Sequence, residues 1–190
     1  MIGRVFASAL YVAIGLLPIA PAAAQQIESS ETNLDLNLDC TVMQSDDFRS
    51  TWACPGLKGM PVMVAESDLR MSVSYGLTST TEKAAKQQLQ PPNRLDDKIE
   101  WRVSNADGYW KPFASILRFL TKAEEGKPEG EVLVVTKISP GATCHIAYVD
   151  ALANPDAEAL ARKAADTTAK DFDCETGEPD YVGKFEAWKR

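Results

Sequence analysis

The chain has 190 residues and a formal net charge of −7, and its isoelectric point is near 4.8. An acidic chain offers no overall basic surface to duplex DNA, RNA or anionic lipid, so nucleic acid is not an expected partner. The length suits one domain that buries a core of its own.

Residues 1–24 have the pattern of a secretory signal peptide. Arg4 supplies a positive charge, residues 5–20 are apolar, and a run of three alanines at 22–24 precedes two glutamines. A membrane anchor is the alternative, but the apolar run is short for ~30 Å of hydrocarbon and is followed by no basic cluster. We expect a periplasmic or secreted protein without stable membrane insertion.

The four cysteines predict two structural disulfide bonds, because nothing in the periplasm keeps thiols reduced. Four cysteines allow three pairings. The pairs Cys40–Cys54 and Cys144–Cys174 are favoured because their members are close in the sequence. A zinc site would need C-x-x-C spacing or several histidines, and the chain has neither, so no metal is predicted.

The first half of the mature chain predicts a polar lead-in, four strands and a helix. Residues 25–37 lack hydrophobic periodicity and are expected to be disordered. Ser79 and Glu82 have the spacing of a capping box, which predicts a helix that ends before the prolines at 91–92. The strands are runs rich in β-branched, aromatic or alternating apolar residues: 38–43, 51–54, 61–66 and 69–75.

The second half repeats this order. Asn154 and Pro155 have the favoured arrangement of a helix start, and apolar residues at helical spacing follow toward Phe172. Residues 177–190 form a turn-rich tail, in which Phe185 and Trp188 are expected to pack on the domain. The predicted strands are 99–103, 113–121 (which also fits a short helix), 131–138 and 143–149, with a hairpin loop at 124–130.

These elements predict an α+β fold: one domain over residues 38–176 with mainly antiparallel sheets, two principal helices and two disulfides. Residues 38–48 also match residues 99–109 at a constant offset of 61 positions. The match suggests two pseudo-repeated ββββα halves, 38–89 and 99–172. The alternative is that short strand–turn–strand segments resemble one another by chance and that the fold is one irregular α+β sheet.

Residues able to perform catalysis are few and lack motif spacing. His145, the single histidine, lies in a predicted strand beside a cysteine expected to be oxidised, so we expect a half-buried, hydrogen-bonded side chain. Four carboxylates on or beside strands supply the acid–base groups that a hydrolase needs, although an acidic chain offers such groups by chance. No catalytic residue and no cofactor are predicted. The four carboxylates are Glu66, Asp68, Glu100 and Asp150.

One stretch interleaves aromatic and basic residues. Trp101, Arg102, Tyr109 and Trp110 are the candidate binding residues, because aromatic rings stack on sugars or peptides and arginine binds carboxylates. In the alternative interpretation Trp101 belongs to the core, while Tyr109 and Trp110 cover a loop.

Several segments together resemble an uncharacterised family of exported proteins from alphaproteobacteria, the rhizobia and their relatives. These segments are residues 52–56, 61–70, 100–102, 112–118 and 144–155. The resemblance implies a location outside the cytoplasm. It carries no activity, ligand or catalytic residue.

Two functions remain. The first is a non-catalytic binding module of the cell envelope, whose partner is a protein, a peptide or a glycan. The second is a small carboxylate-dependent hydrolase that acts on an envelope glycan or peptide. The lack of nucleophile, metal and phosphate motifs favours the binding module. A deep pocket with two converging carboxylates would favour the hydrolase, and a shallow or aromatic surface the binding module.

Overall fold

Two sheets and one helix form three layers over the described part of the chain. The structure, a computed structural model, describes residues 25–122 and 129–187. The strands are β1 (Ile27–Asn33), β2 (Thr41–Ser45), β3 (Arg49–Pro55), β4 (Pro61–Ser67), β5 (Arg70–Tyr75), β6 (Asn93–Ser104), β7 (Lys111–Thr121), β8 (Gly130–Lys137), β9 (Cys144–Asp150) and β10 (Asp180–Val182), and the helix is α1 (Ala157–Thr168). The six-stranded sheet has the order β1-β6-β7-β8-β9-β10, and the four-stranded sheet has the order β2-β3-β4-β5.

Neighbouring strands run antiparallel, except that β10 pairs parallel with β9. The α+β class with mainly antiparallel sheets is therefore confirmed, and a strand lies at each of the eight predicted positions. The boundaries differ from the predicted ones by a few residues, most of all for the strand expected at 99–103, which begins at Asn93, while the strand expected at 38–43 begins at Thr41. The predicted signal peptide over 1–24, most of the predicted loop at 124–130 and Trp188 lie outside the described residues.

The larger core lies between the two sheets. Side chains alternate between the faces of a strand, so every second residue of the central strands points into this layer. Trp101 of β6 is fully buried there and packs edge-on against Tyr75 of β5, with ring centroids 5.4 Å apart. Its indole Nε1 donates a hydrogen bond of 2.8 Å to Thr32 Oγ1 of β1. The remaining core side chains include Val62, Val64, Val73, Ile99, Leu117, Phe119, Val132 and Val134.

The second core lies between the six-stranded sheet and α1. The helix buries a stripe of four alanines, Ala157, Ala161, Ala164 and Ala165, against the sheet. The helix predicted from Asn154 toward Phe172 is confirmed in type, although it is shorter. Asn154 is engaged elsewhere: its amide donates to the carbonyl oxygens of Asp150 and Lys184 at 2.8 and 2.7 Å.

The expectation that residues 25–37 are disordered is wrong. Residues 27–33 form β1, which pairs with β6 from Ile27 opposite Ser104 to Asn33 opposite Lys98. The sequence of β1 is polar because the strand lies at the edge of the sheet and buries little. Its order comes from backbone pairing with β6 rather than from an apolar face of its own, which is why periodicity misses it.

The helix expected at 79–89 does not form. The segment contains two short 3-10 turns, Ser79–Thr81 and Lys83–Lys86. The Glu82 carboxylate accepts hydrogen bonds from the N–H groups of Gly141 and Thr143, at 3.0 and 2.8 Å. The Glu82 carboxylate therefore binds a turn that is distant in the sequence and does not cap a helix. The described residues contain one principal α-helix rather than two.

The structure does not support the pseudo-repeated halves 38–89 and 99–172. Both halves contain a four-stranded antiparallel meander, but the first lacks the closing α-helix. Val42 and Val103, which the offset makes equivalent, are 57% and 6% exposed. Val42 pairs with Trp52, whereas Val103 pairs with Pro112 next to a bulge. The sequence match reflects two hairpins of similar composition.

The tail expected at 177–190 is more ordered than predicted. It contributes β10 to the six-stranded sheet, and Phe185 packs against the larger core as expected. No helix within residues 25–122 and 129–187 is long and apolar enough to cross a membrane.

Both disulfides have the pairing that the spacing favours. Cys40–Cys54 joins the start of β2 to the end of β3, with Cα atoms 4.3 Å apart. Cys144–Cys174 joins β9 to the segment after α1, with Cα atoms 5.7 Å apart. The two bridges fit an oxidising compartment outside the cytoplasm.

Removing either bridge is expected to destabilise the protein through the larger conformational entropy of the unfolded chain. The sequence separations are 14 and 30 residues. For such loops, the double serine variants should lose about 3 kcal/mol at Cys40–Cys54 and somewhat more, up to about 4 kcal/mol, at Cys144–Cys174. Urea unfolding followed by circular dichroism measures the loss.

Thiol titration of the unfolded, non-reduced protein should find no free thiol; finding four would contradict the pairing.

Candidate functional site

The structure separates the four residues predicted as a binding groove. Trp101 and Arg102 are neighbours on β6 and therefore point to opposite faces of the sheet. Trp101 lies in the core between the sheets, and Arg102 lies beneath α1, 8% exposed. Tyr109 is exposed and Trp110 is half-buried, in the connection between β6 and β7. The four side chains share no surface.

Arg102 belongs to an ion network that fastens α1 to β6. Its Nε and Nη2 atoms donate to the Asp166 carboxylate of α1 at 2.8 and 2.7 Å. The Glu100 carboxylate accepts from Nε and Nη2 of Arg162 at 2.7 and 3.0 Å, and from the Ser29 hydroxyl. Burial raises the pKa of Glu100, but the hydrogen bonds from Arg162 and Ser29 outweigh it, so that its pKa lies below the ordinary value. Glu100 is thus held ionised by structural partners.

His145 is buried deeper than expected, 1% exposed on β9. Its Nδ1 lies 3.0 Å from the Tyr148 hydroxyl, and its backbone N–H donates to Gln87 Oε1 at 2.8 Å. Burial lowers the pKa of His145 to about 3, so that the ring is neutral at neutral pH. The expectation of a hydrogen-bonded structural histidine is confirmed.

The other three candidate carboxylates hold turns. Asp150 is fully buried, and its Oδ1 accepts from the N–H groups of Leu152 and Ala153, both at 3.0 Å. Glu66 Oε1 accepts from the N–H of Leu69 at 2.9 Å in the β4–β5 turn. Asp68 forms an ion pair with Arg70. These contacts stabilise the fold.

A cleft of about 330 Å³ opens between the β4–β5 turn and the ends of β6 and β7. It contains two carboxylates, but one is the Glu66 group that holds the turn, and the other, Glu129, lies 3.9 Å from Arg94. The cleft is open to solvent and does not match the pocket expected of a hydrolase. It is lined by Glu66, Leu69, Pro92, Asn93, Arg94, Leu120, Lys122 and Glu129.

The described residues contain no group of three or more His, Cys, Asp or Glu side chains that could hold a metal ion.

Strand β2 is the surface that sequence reasoning missed. It lies at the end of the four-stranded sheet, and every residue from 41 to 49 is exposed. Four large apolar side chains lie on or beside this strand and face solvent: Leu38 (83% exposed), Val42 (57%), Met43 (61%) and Phe48 (85%). We call residues 38–48 the β2 edge. Exposed apolar side chains on an open strand are characteristic of an interaction surface.

The other three sheet edges in the described residues are protected. β1 carries Glu28 and Glu31, and charged side chains discourage pairing with another chain. β10 has only three residues. β5 is covered by residues 88–93: the Gln88 amide donates to the Arg70 carbonyl at 3.0 Å, and Asn93 Oδ1 accepts from the Met71 N–H at 3.1 Å.

β2 has neither charge nor cover within the described residues. Its sequence is Thr-Val-Met-Gln-Ser, and its one protective feature is a bulge at Met43. Val42 lies opposite Trp52, and Trp52 lies opposite Val64, so an apolar row runs from the core out to the strand. A strand added beside β2 could extend this row with its own apolar side chains.

The Cys40–Cys54 bridge holds the β2 edge in place. None of the five β2 residues is buried, so hydrophobic burial contributes little to the position of this strand. The disulfide instead joins the residue before Thr41 to Cys54, the one buried residue of β3. The covalent bond and the pairing with β3 together fix the position of an exposed strand.

Comparisons with protein-family models, curated proteins and solved structures found no match. The resemblance to exported alphaproteobacterial proteins therefore stays an expectation.

The state of His145 predicts a specific pH dependence of stability. Its native pKa of about 3 lies below the ordinary 6.5. Between these two pH values the imidazole is protonated in the unfolded chain but neutral in the native protein. The contribution of neutral His145 to the free energy of unfolding is fully present above about pH 6.5. As the pH falls toward 3, this contribution is lost by up to about 1.4 kcal/mol per pH unit. Compared with wild type, His145→Gln should be less stable by about 1–3 kcal/mol at neutral pH. This gap should narrow between about pH 6.5 and pH 4.5 in urea unfolding.

Tyr148→Phe is the matched control, because it removes the hydroxyl beside His145 Nδ1 and leaves the buried imidazole. It should keep the wild-type pH slope. A gap between wild type and His145→Gln that stays constant with pH would show that His145 has the same pKa in both states.

Proposed function

We propose that this chain is a non-catalytic binding module of the bacterial cell envelope, exported to the periplasm or secreted, whose β2 edge receives an extended segment of another protein. The observation that carries the proposal is an uncovered apolar edge strand, exposed over its whole length. An added strand satisfies backbone N–H and C=O groups of such an edge and gains specificity from alternate side chains.

Rigidity of the β2 edge supports the proposal. A strand that must order on binding loses conformational entropy, and this loss weakens affinity. The Cys40–Cys54 bridge and the pairing with β3 fix the backbone of β2 beforehand. The two disulfides also agree with an extracytoplasmic location, as does the sequence pattern of residues 1–24.

The hydrolase is the weaker proposal. A general acid or base has to reach the substrate, and its pKa is tuned by its environment for proton transfer. Asp150 is fully buried, Glu100 is paired with Arg162, and Glu66 and Asp68 hold the β4–β5 turn. No observation in the described residues favours hydrolysis over binding.

A lysine in place of Val42 should weaken strand addition to the β2 edge. The test selects 12-residue peptides from a displayed library on the wild-type protein. Selected peptides should bind Val42→Lys at least about tenfold more weakly, because the charge blocks the apolar row. Leu77→Lys is the matched control: Leu77 is 94% exposed and lies away from β2, so this variant should bind like wild type.

Backbone amide chemical shifts locate the binding surface in the same experiment. The selected peptides should shift the amides of residues 41–45 and protect some of them from hydrogen exchange. Equal affinity for wild type and Val42→Lys, with shifts centred on the cleft at Leu69 and Arg94, would contradict the proposal.

A further inference from the structure

We infer that the segment received by the β2 edge is basic: an extended strand in which apolar side chains alternate with lysine or arginine. The inference rests on the proposed function and names the chemical class of its partner. It follows from the distribution of charge around β2: the strand itself has no charged residue, whereas the turns on both sides of it contain aspartates.

Carboxylates stand at both ends of an uncharged strand. Asp35 and Asp39 lie in the turn before β2, and Asp46 and Asp47 lie in the turn after it. Arg49 is the one basic residue between positions 35 and 53, so four aspartates against one arginine give this hairpin region a net charge of −3. Hydrogen bonds from the Phe48 N–H and the Gln44 side chain, foremost among several, lower the pKa of Asp46.

The length of β2 determines which segment fits. Five residues at about 3.4 Å each span ~17 Å, so the acidic turns stand roughly that far apart. A partner of about seven to nine residues would cover the strand and bring its terminal cations to both turns. Opposite charges at the ends of the pairing steer association and fix its register.

The same carboxylates disfavour a second copy of this chain as the occupant. Antiparallel pairing of two β2 strands would bring the turn containing Asp39 of one copy close to Asp46 and Asp47 of the other. Like charges placed across a strand pair are destabilising. The aspartates therefore discriminate against self-association while the apolar side chains remain open to a basic strand.

Three synthetic seven-residue peptides test the inference: lysine alternating with valine, glutamate alternating with valine, and lysine alternating with serine. Binding to the full mature chain is followed by fluorescence anisotropy at about 50 mM and about 500 mM salt, because screening weakens exposed ion pairs. The lysine–valine peptide should bind at least about tenfold tighter than either other peptide. Its advantage over the glutamate–valine peptide should shrink at high salt.

Charge variants complete the test. Asp39→Asn combined with Asp47→Asn should reduce the preference for lysine over glutamate several-fold. Asp46 is left unchanged because its Oδ1 accepts from the N–H groups of Phe48 and Arg49 and holds the turn. Asp171→Asn with Asp180→Asn removes the same charge from exposed positions outside the four-stranded sheet and should leave the preference intact.

The outcomes separate the two proposals. Equal binding of the lysine–valine and glutamate–valine peptides, with amide shifts at residues 41–45, overturns the basic partner and supports strand addition. If the lysine–serine peptide binds as tightly as the lysine–valine peptide, the inference that the partner strand needs apolar side chains is overturned. Binding that Val42→Lys leaves unchanged overturns both proposals, as does a stable dimer of the mature chain that Val42→Lys dissociates.

Discussion

The alternation of side chains along β6 determines how the three layers hold together. One residue of this strand, Trp101, enters the core between the sheets, where its ring meets Tyr75 and its indole N–H reaches Thr32 of β1. The next residue, Arg102, enters the opposite layer and binds Asp166 of α1. Burying an indole contributes on the order of 4 kcal/mol, and the paired arginine fixes the helix in one orientation. A register slip of one residue would exchange these environments and place a guanidinium in the apolar core.

A fold built from two open sheets has edge strands that can pair with other chains, and this protein protects three of its four edges in the described residues but not the edge at β2. Charge protects β1, shortness protects β10, and the segment at 88–93 covers β5. At β2 a disulfide replaces the burial that would ordinarily hold a strand on its sheet. Because natural proteins usually blunt such edges, an exposed apolar edge that a disulfide fixes in place supports the proposal that β2 contacts another molecule.

Strand positions could be predicted from the sequence because β-branched and aromatic runs separated by turn residues carry a local signal. Three features depend on contacts with residues distant in the sequence and could not be predicted from local sequence patterns. β1 is polar and is ordered by β6, Glu82 binds the turn at Gly141 and Thr143 instead of capping a helix, and the exposure of β2 follows from the order of strands in its sheet. The four candidate binding residues are a different case, since the two-residue period of a strand already places Trp101 and Arg102 on opposite faces of the sheet.

The ionisable groups support the proposed binding function over the proposed hydrolase. Perturbed pKa values often mark active sites, but structural networks perturb them too. Here they belong to groups that hold the fold: burial lowers the pKa of His145 beside Tyr148, and hydrogen bonds outweigh burial to lower the pKa of Glu82. Both side chains are buried, and neither lines the open cleft. The β2 edge offers instead a fixed backbone and exposed apolar side chains, which the proposed strand addition requires.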